Sequence, residues 1–275
     1  MTARDALDAA VPALVAAGCE TPRLDAEVLI ADALGVDRAA LVAAPEMAIP
    51  PAAARIVGER VRRRVQREPV AYILGRKGFR RIELLVDRRV LIPRPETELL
   101  VEVALELPAG ARVHEVGTGS GAVALALRDE RPDLLISASD ASAAAIEVAR
   151  DNSARLGLAL DLVLARSLAA TRPGEPCEAT RRGFDLVVAN LPYVRDDEWN
   201  GLQPEIVRYE PREALVAGED GLDAIRELVS QSPAGTRLAL EHAPDQAAAV
   251  RALLRDPRTR RDLAGRERVT VGTAL

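Results

Sequence analysis

The spacing of apolar residues changes twice along the chain, and these changes divide it into three segments. In residues 1–69, apolar side chains recur at helical spacing between residues that start or cap helices. Thr2 followed by Asp5 has the form of a capping box, and Pro50-Pro51 is typical of a helix start. This segment is therefore predicted to be a small helical domain.

Residues 70–93 contain two short apolar runs, a pattern typical of strands. The runs are Val70–Leu74 and Ile82–Val86, and Gly75 and Gly78 lie between them. Glycine between two short apolar runs predicts a β-hairpin. We expect this hairpin to link the helical domain to the rest of the chain.

From residue 94 to residue 275, strand-like and helix-like segments alternate. Alternation of this kind predicts a parallel, doubly wound α/β sheet with helices on both faces. In such sheets, ligands bind at the carboxyl ends of the strands. The predicted strands are Val113–Val116, Leu134–Ala138, Leu160–Ala165, Phe184–Ala189, Thr236–Glu241 and a short end strand near Arg268–Val271.

The composition is that of an ordinary globular protein. Apolar residues make up 48% of the 275 residues. The net charge of -5 argues against binding of nucleic acid by the electrostatic attraction of the whole chain. Cys19 and Cys177 form no closely spaced pair, and the chain has 2 histidines, so no metal site is predicted. No apolar run is long enough for a signal peptide or membrane anchor, so we expect a cytoplasmic protein.

The first predicted strand of the alternating series leads into a glycine-rich loop. Glycines at this place let a ligand approach the backbone, and the next helix offers free N–H groups. Asp140 ends the next strand, where a carboxylate can bind a ribose diol. The glycine spacing also fits an NAD site, but Glu115 favours a ligand with an ammonium group because a carboxylate repels pyrophosphate. The loop consists of Gly117, Thr118, Gly119, Ser120 and Gly121.

A second polar segment, Asn190-Leu191-Pro192-Tyr193, follows the strand Phe184–Ala189. The Asn190 side-chain oxygen and the Leu191 carbonyl oxygen can accept the two hydrogens of a planar NH2 group. Pro192 restricts the backbone, and Tyr193 can supply an aromatic wall. A site of this kind works by orienting its substrate. S-adenosylmethionine is an activated methyl donor, so transfer from it needs neither a metal nor a strong base.

Several motifs together resemble those of one known family. The chain resembles the bacterial release factor glutamine methyltransferases, the HemK family, over nearly its whole length. The motifs are Arg67–Gly75, Leu91–Glu98, Glu115–Gly121, Asn190–Tyr193, Tyr209–Pro211 with Ala214-Leu215, Asp220–Leu222 and Asp262–Arg266.

The resemblance implies a Rossmann-like class I S-adenosylmethionine-dependent methyltransferase domain over residues 94–275, with residues 1–69 as a helical substrate-recognition domain. It implies methylation of the side-chain amide nitrogen of the glutamine in the Gly-Gly-Gln loop of class 1 peptide chain release factors. The release factor is the expected partner. We expect a monomer that binds neither nucleic acid nor membrane directly.

The site residues are carried over from the same resemblance. The loop Gly117–Gly121 would hold the methionine part of the cofactor, Asp140 the ribose, and Leu168 would lie near the adenine. Asn190 would contact both cofactor and substrate. Leu191, Pro192 and Tyr193 would complete the catalytic segment.

Two departures from the family pattern leave alternatives open. The family has Asn-Pro-Pro-Tyr where this chain has Leu191, and Ser167 stands at a position near the adenine that is usually acidic. Asn-Leu-Pro-Tyr also resembles the motif of ribosomal-RNA adenine dimethyltransferases, whose target is an exocyclic NH2 group. The N-terminal helices, the motif Leu91–Glu98 and the acidic net charge favour the protein substrate. A binding protein that has lost transfer and a nicotinamide oxidoreductase are further alternatives.

Overall fold

A computed structural model describes residues 1–166, 168 and 183–275. The chain forms two compact units, of which the first is helical and the second contains the large sheet. The first unit comprises Met1–Gly75 and Gln203–Tyr209, and the second comprises Arg76–Leu202 and Glu210–Leu275.

The first unit is built from helices whose starts follow the predicted capping residues. The Thr2 hydroxyl accepts a hydrogen bond from the Asp5 amide at 3.2 Å, and the Asp5 carboxylate accepts one from the Thr2 amide at 2.7 Å. Asp37 caps the third helix by accepting from the Ala40 amide at 2.6 Å. The helices are α1 (Ala3–Ala16), α2 (Pro22–Leu34), α3 (Arg38–Ala43), α4 (Pro51–Val65), α5 (Val70–Leu74) and α9 (Pro204–Tyr209).

Arginines at the end of α4 bind α9 into the helical unit. The cluster of arginines between Arg60 and Arg67 is typical of a solvated helix face or, less often, of a docking surface. In the structure, Arg64 and Arg67 pair with acidic side chains of the same unit. The buried Arg64 guanidinium donates to Asp25 and to Glu205, both at 2.7 Å. Arg67 donates to both oxygens of the Glu205 carboxylate at 2.8 and 2.6 Å. These ion pairs explain why a segment distant in sequence belongs to the first unit.

The predicted strand Val70–Leu74 is wrong, because these residues form the helix α5. A five-residue apolar run fits a strand or a buried helical turn equally well, and periodicity does not separate them. Gly75 ends the helix in the left-handed conformation, with φ 71°. Arg63 donates to the carbonyl oxygens of Tyr72 and Ile73 at 3.3 and 3.4 Å, which satisfies groups that the helix end leaves free.

A β-hairpin does follow, but it begins after Gly75. Its strands are β1 (Arg76–Phe79) and β2 (Ile82–Leu85), which pair antiparallel. The hairpin belongs to the second unit, whereas α5 belongs to the first.

The second unit contains a seven-stranded sheet with the order β5-β4-β3-β6-β7-β9-β8. The five strands β3 to β7 run parallel, as the alternating pattern predicts. The strands of this sheet are β3 (Arg112–Val116), β4 (Leu135–Asp140), β5 (Asp161–Leu164), β6 (Leu186–Ala189), β7 (Arg237–Glu241), β8 (Leu254–Arg261) and β9 (Glu267–Ala274). The helices of the unit are α6 (Glu98–Leu105), α7 (Ala122–Glu130), α8 (Ala143–Leu156), α10 (Asp223–Gln231) and α11 (Ala247–Ala252).

At one edge the sheet departs from the predicted parallel arrangement. Strand β9 runs antiparallel to both β7 and β8. Strand β8 is mostly exposed and rich in arginine, so it lacks the apolar alternation by which a strand is recognised. The turn between the two strands is closed by Asp262, which accepts from the amides of Ala264 and Arg266, both at 2.9 Å.

Strand order reverses between β3 and β6, which are neighbours in the sheet although two other strands lie between them in sequence. Val116, the last residue of β3, pairs with Ala189, the last residue of β6. Gly117 and Asn190 follow these two residues directly. The topology therefore brings the glycine loop and the Asn190 segment to the same point of the sheet edge. Among the described residues, no helix has the length and apolar character that a membrane crossing requires.

Asn152 on α8 connects the hairpin with the start of α7. Its side chain is fully buried, accepts from the Leu85 amide at 2.6 Å, and donates to the carbonyl oxygens of Leu85 and Ser120 at 3.0 and 2.9 Å. All these groups lie within the second unit. One amide side chain therefore satisfies three backbone groups beside the glycine loop.

We expect Asn152→Ala to destabilise the protein by roughly 2–4 kcal/mol, because it leaves buried backbone groups without partners. Urea unfolding followed by circular dichroism measures the loss. Asn200→Ala is the matched control, since Asn200 is exposed and should change the midpoint little. Equal midpoints for the two variants would contradict this role of Asn152.

Candidate active site

The glycine loop that follows β3 contains glycines in the left-handed backbone conformation. It lies close to the side chains of Leu191 and Leu125. Gly117 has φ 75° and Gly121 has φ 84°. A Cβ atom at Gly117 would lie 3.1 Å from the Leu191 side chain, and one at Gly121 would lie 2.9 Å from the Leu125 side chain. Both positions therefore favour glycine, chiefly for the left-handed backbone conformation.

Glu115 lies buried beneath this loop. Its carboxylate accepts from the Thr118 hydroxyl at 2.6 Å and from the Ala124 amide at 3.0 Å. Burial raises the pKa of Glu115 from 4.5 to about 8, and the Asp140 charge adds to the rise, whereas these hydrogen bonds oppose it. Glu115 thus ties the loop to the first turn of α7. Its predicted pairing with a ligand ammonium stays a prediction.

Asp140 supports the loop from the neighbouring strand β4. One carboxylate oxygen accepts from the Gly119 amide at 2.9 Å, and the other accepts from the Ser142 amide at 2.8 Å. Burial raises the pKa of Asp140, and the backbone hydrogen bonds act in the opposite direction. Each oxygen still has a second lone pair for a ligand hydroxyl, so the structure is compatible with the predicted ribose contact.

The Asn190 segment begins directly beside the loop. The Asn190 side-chain NH2 group donates to the Thr97 hydroxyl at 3.0 Å, and the Tyr193 hydroxyl donates to the Glu241 carboxylate at 3.4 Å. The Leu191 side chain packs against the hydrophobic cluster of the sheet. The residues from Asn190 to Pro192 are half-buried, so the segment is partly open to solvent.

The side chain of Gln246, which lies in the segment after strand β7, binds the backbone of Tyr193. The Gln246 side-chain NH2 group donates to the Tyr193 carbonyl oxygen at 2.8 Å and to the Asp220 carbonyl oxygen at 3.1 Å. A Cβ atom at Gly221 would lie 2.2 Å from the Tyr193 carbonyl oxygen, so only glycine permits this approach. The motif Asp220–Leu222 therefore lies against the backbone of Tyr193.

Glu241, the last residue of β7, lies buried behind the segment. Burial raises its pKa from 4.5 to about 7, and hydrogen bonding by Thr97 and Tyr193 opposes the rise. One of its oxygens has no hydrogen-bond partner in the described part of the chain. Burial also raises the pKa of the Tyr193 phenol, so this group stays protonated at neutral pH.

Two further motifs meet at Glu210, which is also buried. Its carboxylate accepts from the Ile92 amide at 3.0 Å and from the Arg94 guanidinium. This contact joins the motif Leu91–Glu98 to Glu210, and all three residues of the contact belong to the second unit. It fixes the loop that leads to Thr97.

Both histidines are buried and occupied by hydrogen bonds. The His114 ring nitrogens contact the hydroxyls of Ser137 and Ser139 at 2.8 and 2.9 Å, and burial lowers the pKa of His114 to about 4. His242 contacts the Thr270 hydroxyl at 2.8 Å, and burial lowers its pKa as well. Neither histidine is arranged as a catalytic base. The described residues also contain no cluster of His, Cys, Asp or Glu that could hold a metal ion.

The structure thus brings together most of the residues that the sequence predicts for the site, from Glu115 through the glycine loop, Asp140 and Asn190 to Tyr193. Leu168 is buried in the hydrophobic cluster that includes Val116 and Leu222, and its place near the adenine stays a prediction. Ser167 and Cys177 lie outside the described residues.

Sequence reasoning missed Thr97, Glu241 and Gln246 as members of this region. Thr97 lies in the motif Leu91–Glu98, which the resemblance already singles out. Glu241 could have been found from its place at the carboxyl end of a predicted strand. Gln246 carries no such signal, because its contact with Tyr193 arises only from the tertiary structure.

Two family models match the chain, and they cover different segments. Residues 5–75 match the PrmC N-terminal domain, and residues 95–216 match the methyltransferase small domain. Both matches agree with a helical N-terminal segment followed by a Rossmann-like methyltransferase domain, so the predicted fold class is confirmed.

Curated relatives match nearly the full length of the chain. The release factor glutamine methyltransferase of Xylella fastidiosa (strain Temecula1) is 42% identical over 94% of this chain and 96% of its own. Its counterpart in Coxiella burnetii is 41% identical over 92% of each chain, and that of Pseudomonas aeruginosa is 42% identical over 91% of this chain and 92% of its own. The chain belongs to the family of release factor glutamine methyltransferases.

Proposed function

We propose that the protein transfers a methyl group from S-adenosylmethionine to the side-chain amide nitrogen of the glutamine in the Gly-Gly-Gln loop of a class 1 peptide chain release factor. Family membership supports this reaction. The observation that carries the proposal is the adjacency of the glycine loop and Asn190 at the ends of paired strands β3 and β6.

The glycine loop fits the cofactor in shape and in chemistry. Its glycines leave room for a ligand to approach the backbone. A side chain at Gly117 would crowd the Leu191 side chain. Asp140 supplies carboxylate oxygens beside the loop for a ribose diol, and Glu115 supplies a buried carboxylate near its start. When bound, S-adenosylmethionine would supply a methyl group on a positively charged sulfur, so transfer would leave a neutral thioether, and the amide nitrogen would release one proton to solvent.

Asn190 and the backbone of residue 191 would orient the substrate. Two acceptors, the Asn190 Oδ1 atom and the Leu191 carbonyl oxygen, match the two hydrogens of a primary amide. Holding both hydrogens turns one face of the amide nitrogen toward the methyl group, and orientation is the main requirement for a weak nucleophile. Tyr193 would form a wall of the pocket with its ring and keep its hydroxyl on Glu241.

Leu191 in place of proline is compatible with this mechanism. The group that the mechanism uses at position 191 is the backbone carbonyl, which either residue supplies. Pro192 still restricts the preceding backbone to an extended conformation. The Leu191 side chain packs against the hydrophobic cluster and lies close to Gly117, so it also has a packing role.

We also infer a cytoplasmic, monomeric enzyme that recognises the release factor as a protein and does not bind nucleic acid directly. The helical unit is assigned to recognition of the factor. Support comes from the acidic net charge of -5 and from the match of residues 5–75 to the N-terminal domain of this family.

The direct test is methyl transfer from labelled S-adenosylmethionine to a purified class 1 release factor. We expect the wild-type factor to be labelled, and a factor with alanine at the loop glutamine to remain unlabelled. Ribosomal RNA is included as a third acceptor. Labelling of RNA alone, or equal labelling of both factors, would refute the proposed substrate.

Asn190→Ala should lower kcat by roughly 100-fold, because the amide nitrogen loses an orienting acceptor. Leu191→Pro should change kcat by less than about 3-fold, since it preserves the backbone carbonyl. Steady-state kinetics with the release factor measures both effects. A large gain on introducing proline would favour the alternative that Leu191 has abolished transfer.

Cofactor binding should release a proton if Glu115 pairs with the ammonium group. The free protein holds a proton on Glu115 below its raised pKa of about 8, and a neighbouring cation favours the ionised form. We therefore expect affinity to rise with pH up to that value, and calorimetry at pH about 7 in buffers of different ionisation enthalpy to detect the proton.

Glu115→Gln is the matched variant, because its side-chain oxygen can still accept from Thr118 and Ala124. It should bind the cofactor with about one proton fewer released than in the wild type. Equal proton release in the two proteins would rule out the pairing and leave Glu115 as a support of the loop.

A further inference from the structure

The sheet fixes the first end of the segment Asn190–Tyr193. Ala189, the residue before the segment, pairs with Val116 of β3 on one side and with Leu240 of β7 on the other. Ladder hydrogen bonds on both sides set the direction in which the chain leaves β6. The other end of the segment, at Tyr193, lies outside the strand and is held by different contacts.

The peptide group between Tyr193 and Val194 provides the second fixed point. Its N–H group donates to the Leu215 carbonyl oxygen at 2.8 Å, and its carbonyl oxygen accepts from the Gln246 side chain, also at 2.8 Å. A peptide group is planar, so hydrogen bonds at both of its polar atoms restrain the whole plane. The N–H bond belongs to a short bridge in which Val194 pairs with Val216. Gln246 supplies the other half of the restraint.

Every polar atom of the Gln246 side chain takes part in a hydrogen bond. Its Nε2 atom donates to the carbonyl oxygens of Tyr193 and Asp220 at 2.8 and 3.1 Å, and its Oε1 atom accepts from the Ala243 amide at 3.0 Å. Two carbonyl oxygens need donors and one N–H group needs an acceptor, so only one orientation of the amide satisfies all three. Gln246 is 6% exposed, so loss of these bonds would leave buried groups without partners.

The motif Asp220–Leu222 adds a steric restraint on the same carbonyl group. Gly221 has φ 72°. A Cβ atom at Gly221 would overlap the Tyr193 carbonyl oxygen and would lie 2.6 Å from the Gln246 Nε2 atom. A side chain at this position would therefore occupy the space in which the hydrogen bond forms. Gly221 and Gln246 act on the same backbone group of the catalytic segment.

The orientation of this peptide group bears on the proposed reaction because only four residues separate the two fixed points. Within the segment, Pro192 has a restricted φ and biases Leu191 toward an extended conformation. With both ends restrained, the Leu191 carbonyl oxygen and the Tyr193 ring have little freedom to turn. The proposed reaction uses the first as an acceptor and the second as a wall, and it depends on their accurate orientation.

We propose that Gln246 is a positioning residue, which fixes the peptide group after Tyr193 and thereby directs the Leu191 carbonyl oxygen and the Tyr193 ring toward the substrate amide. Gly221 supports this role by leaving space for the Tyr193 carbonyl group. The inference rests on the proposed methylation of a primary amide. It gives a role to the motif Asp220–Leu222, which the proposed reaction does not otherwise use.

The test compares Gln246→Leu with the wild type in methyl transfer to a release factor, with kcat expressed per cofactor-binding site. Calorimetric titration with S-adenosylmethionine counts the sites, so unfolded protein does not contribute. We expect kcat to fall roughly 10- to 100-fold, because the substitution removes both donors at a similar side-chain volume. Cofactor affinity and KM for the release factor should change by less than about 3-fold, since the hydrogen bonds of Gln246 reach neither the glycine loop nor the helical unit.

Gln231→Leu is the matched control, because it makes the same chemical change at the end of α10. The Gln231 side-chain NH2 group donates to Glu227 of the same helix at 3.1 Å, so this variant should keep the wild-type kcat. Gly221→Ala is a second route to the same carbonyl group and should lower kcat by a factor similar to that of Gln246→Leu. Because the two changes act on one group, the double variant should lose less than the product of the two single losses.

The outcomes distinguish this inference from the proposed function. A wild-type protein that binds S-adenosylmethionine and labels no release factor would overturn both. An active wild type with equal kcat per site for Gln246→Leu and Gln231→Leu would overturn the positioning role alone. If Gln246→Leu does not fold, Gly221→Ala decides the question, and a wild-type kcat for that variant would overturn the role.

Discussion

The parallel pairing of β3 with β6 is the constraint on which the candidate site depends. Both strands end at the paired residues Val116 and Ala189, so the next residue of each chain segment emerges at the same edge. Gly117 and Asn190 are thereby neighbours in space although they are distant in sequence. The hydrogen-bond ladder fixes this placement before any side chain contributes, and the reversal of strand order leaves the edge open for a ligand.

Four carboxylates, three of them buried and Asp140 half-buried, then hold the loops of the site in place. Glu115 and Asp140 accept from groups of the glycine loop, Glu210 accepts from the Ile92 amide, and Glu241 accepts from Tyr193. Burying a carboxylate is costly unless donors compensate it, so each of these residues requires its loop to adopt one conformation. The same burial explains the raised pKa of Glu115, Asp140 and Glu241. Burial of these carboxylates therefore underlies both the fixed positions of the loops and the raised pKa values.

In the proposed reaction, the segment Asn190–Tyr193 can differ at Leu191 from the family pattern and keep its chemistry. A mechanism that uses a backbone carbonyl places no direct demand on the side chain at that position. The side chain at position 191 must instead pack between Gly117 and the hydrophobic cluster. The leucine side chain does so. Asn190 has no such freedom, because its side chain donates to Thr97 and, in the proposed reaction, also supplies an acceptor.

The sequence determined the local features of this protein, because they depend on neighbouring residues. It predicts the capping box at Thr2, the parallel strands β3 to β7 and the glycine loop. It also indicates the family through its motifs. Where local patterns are ambiguous or absent the sequence prediction is wrong, as for the helix α5 and the polar strand β8.

Only the tertiary structure decided which distant side chains meet. The ion pairs of Arg64 and Arg67 with Glu205, and the hydrogen bonds from Asn190 to Thr97 and from Tyr193 to Glu241, join residues that no sequence period relates. Such contacts depend on strand order and on the burial of polar groups, and burial is a property of the whole fold. For this reason the sequence predicts the residues of the candidate site, and the structure shows which distant residues they contact.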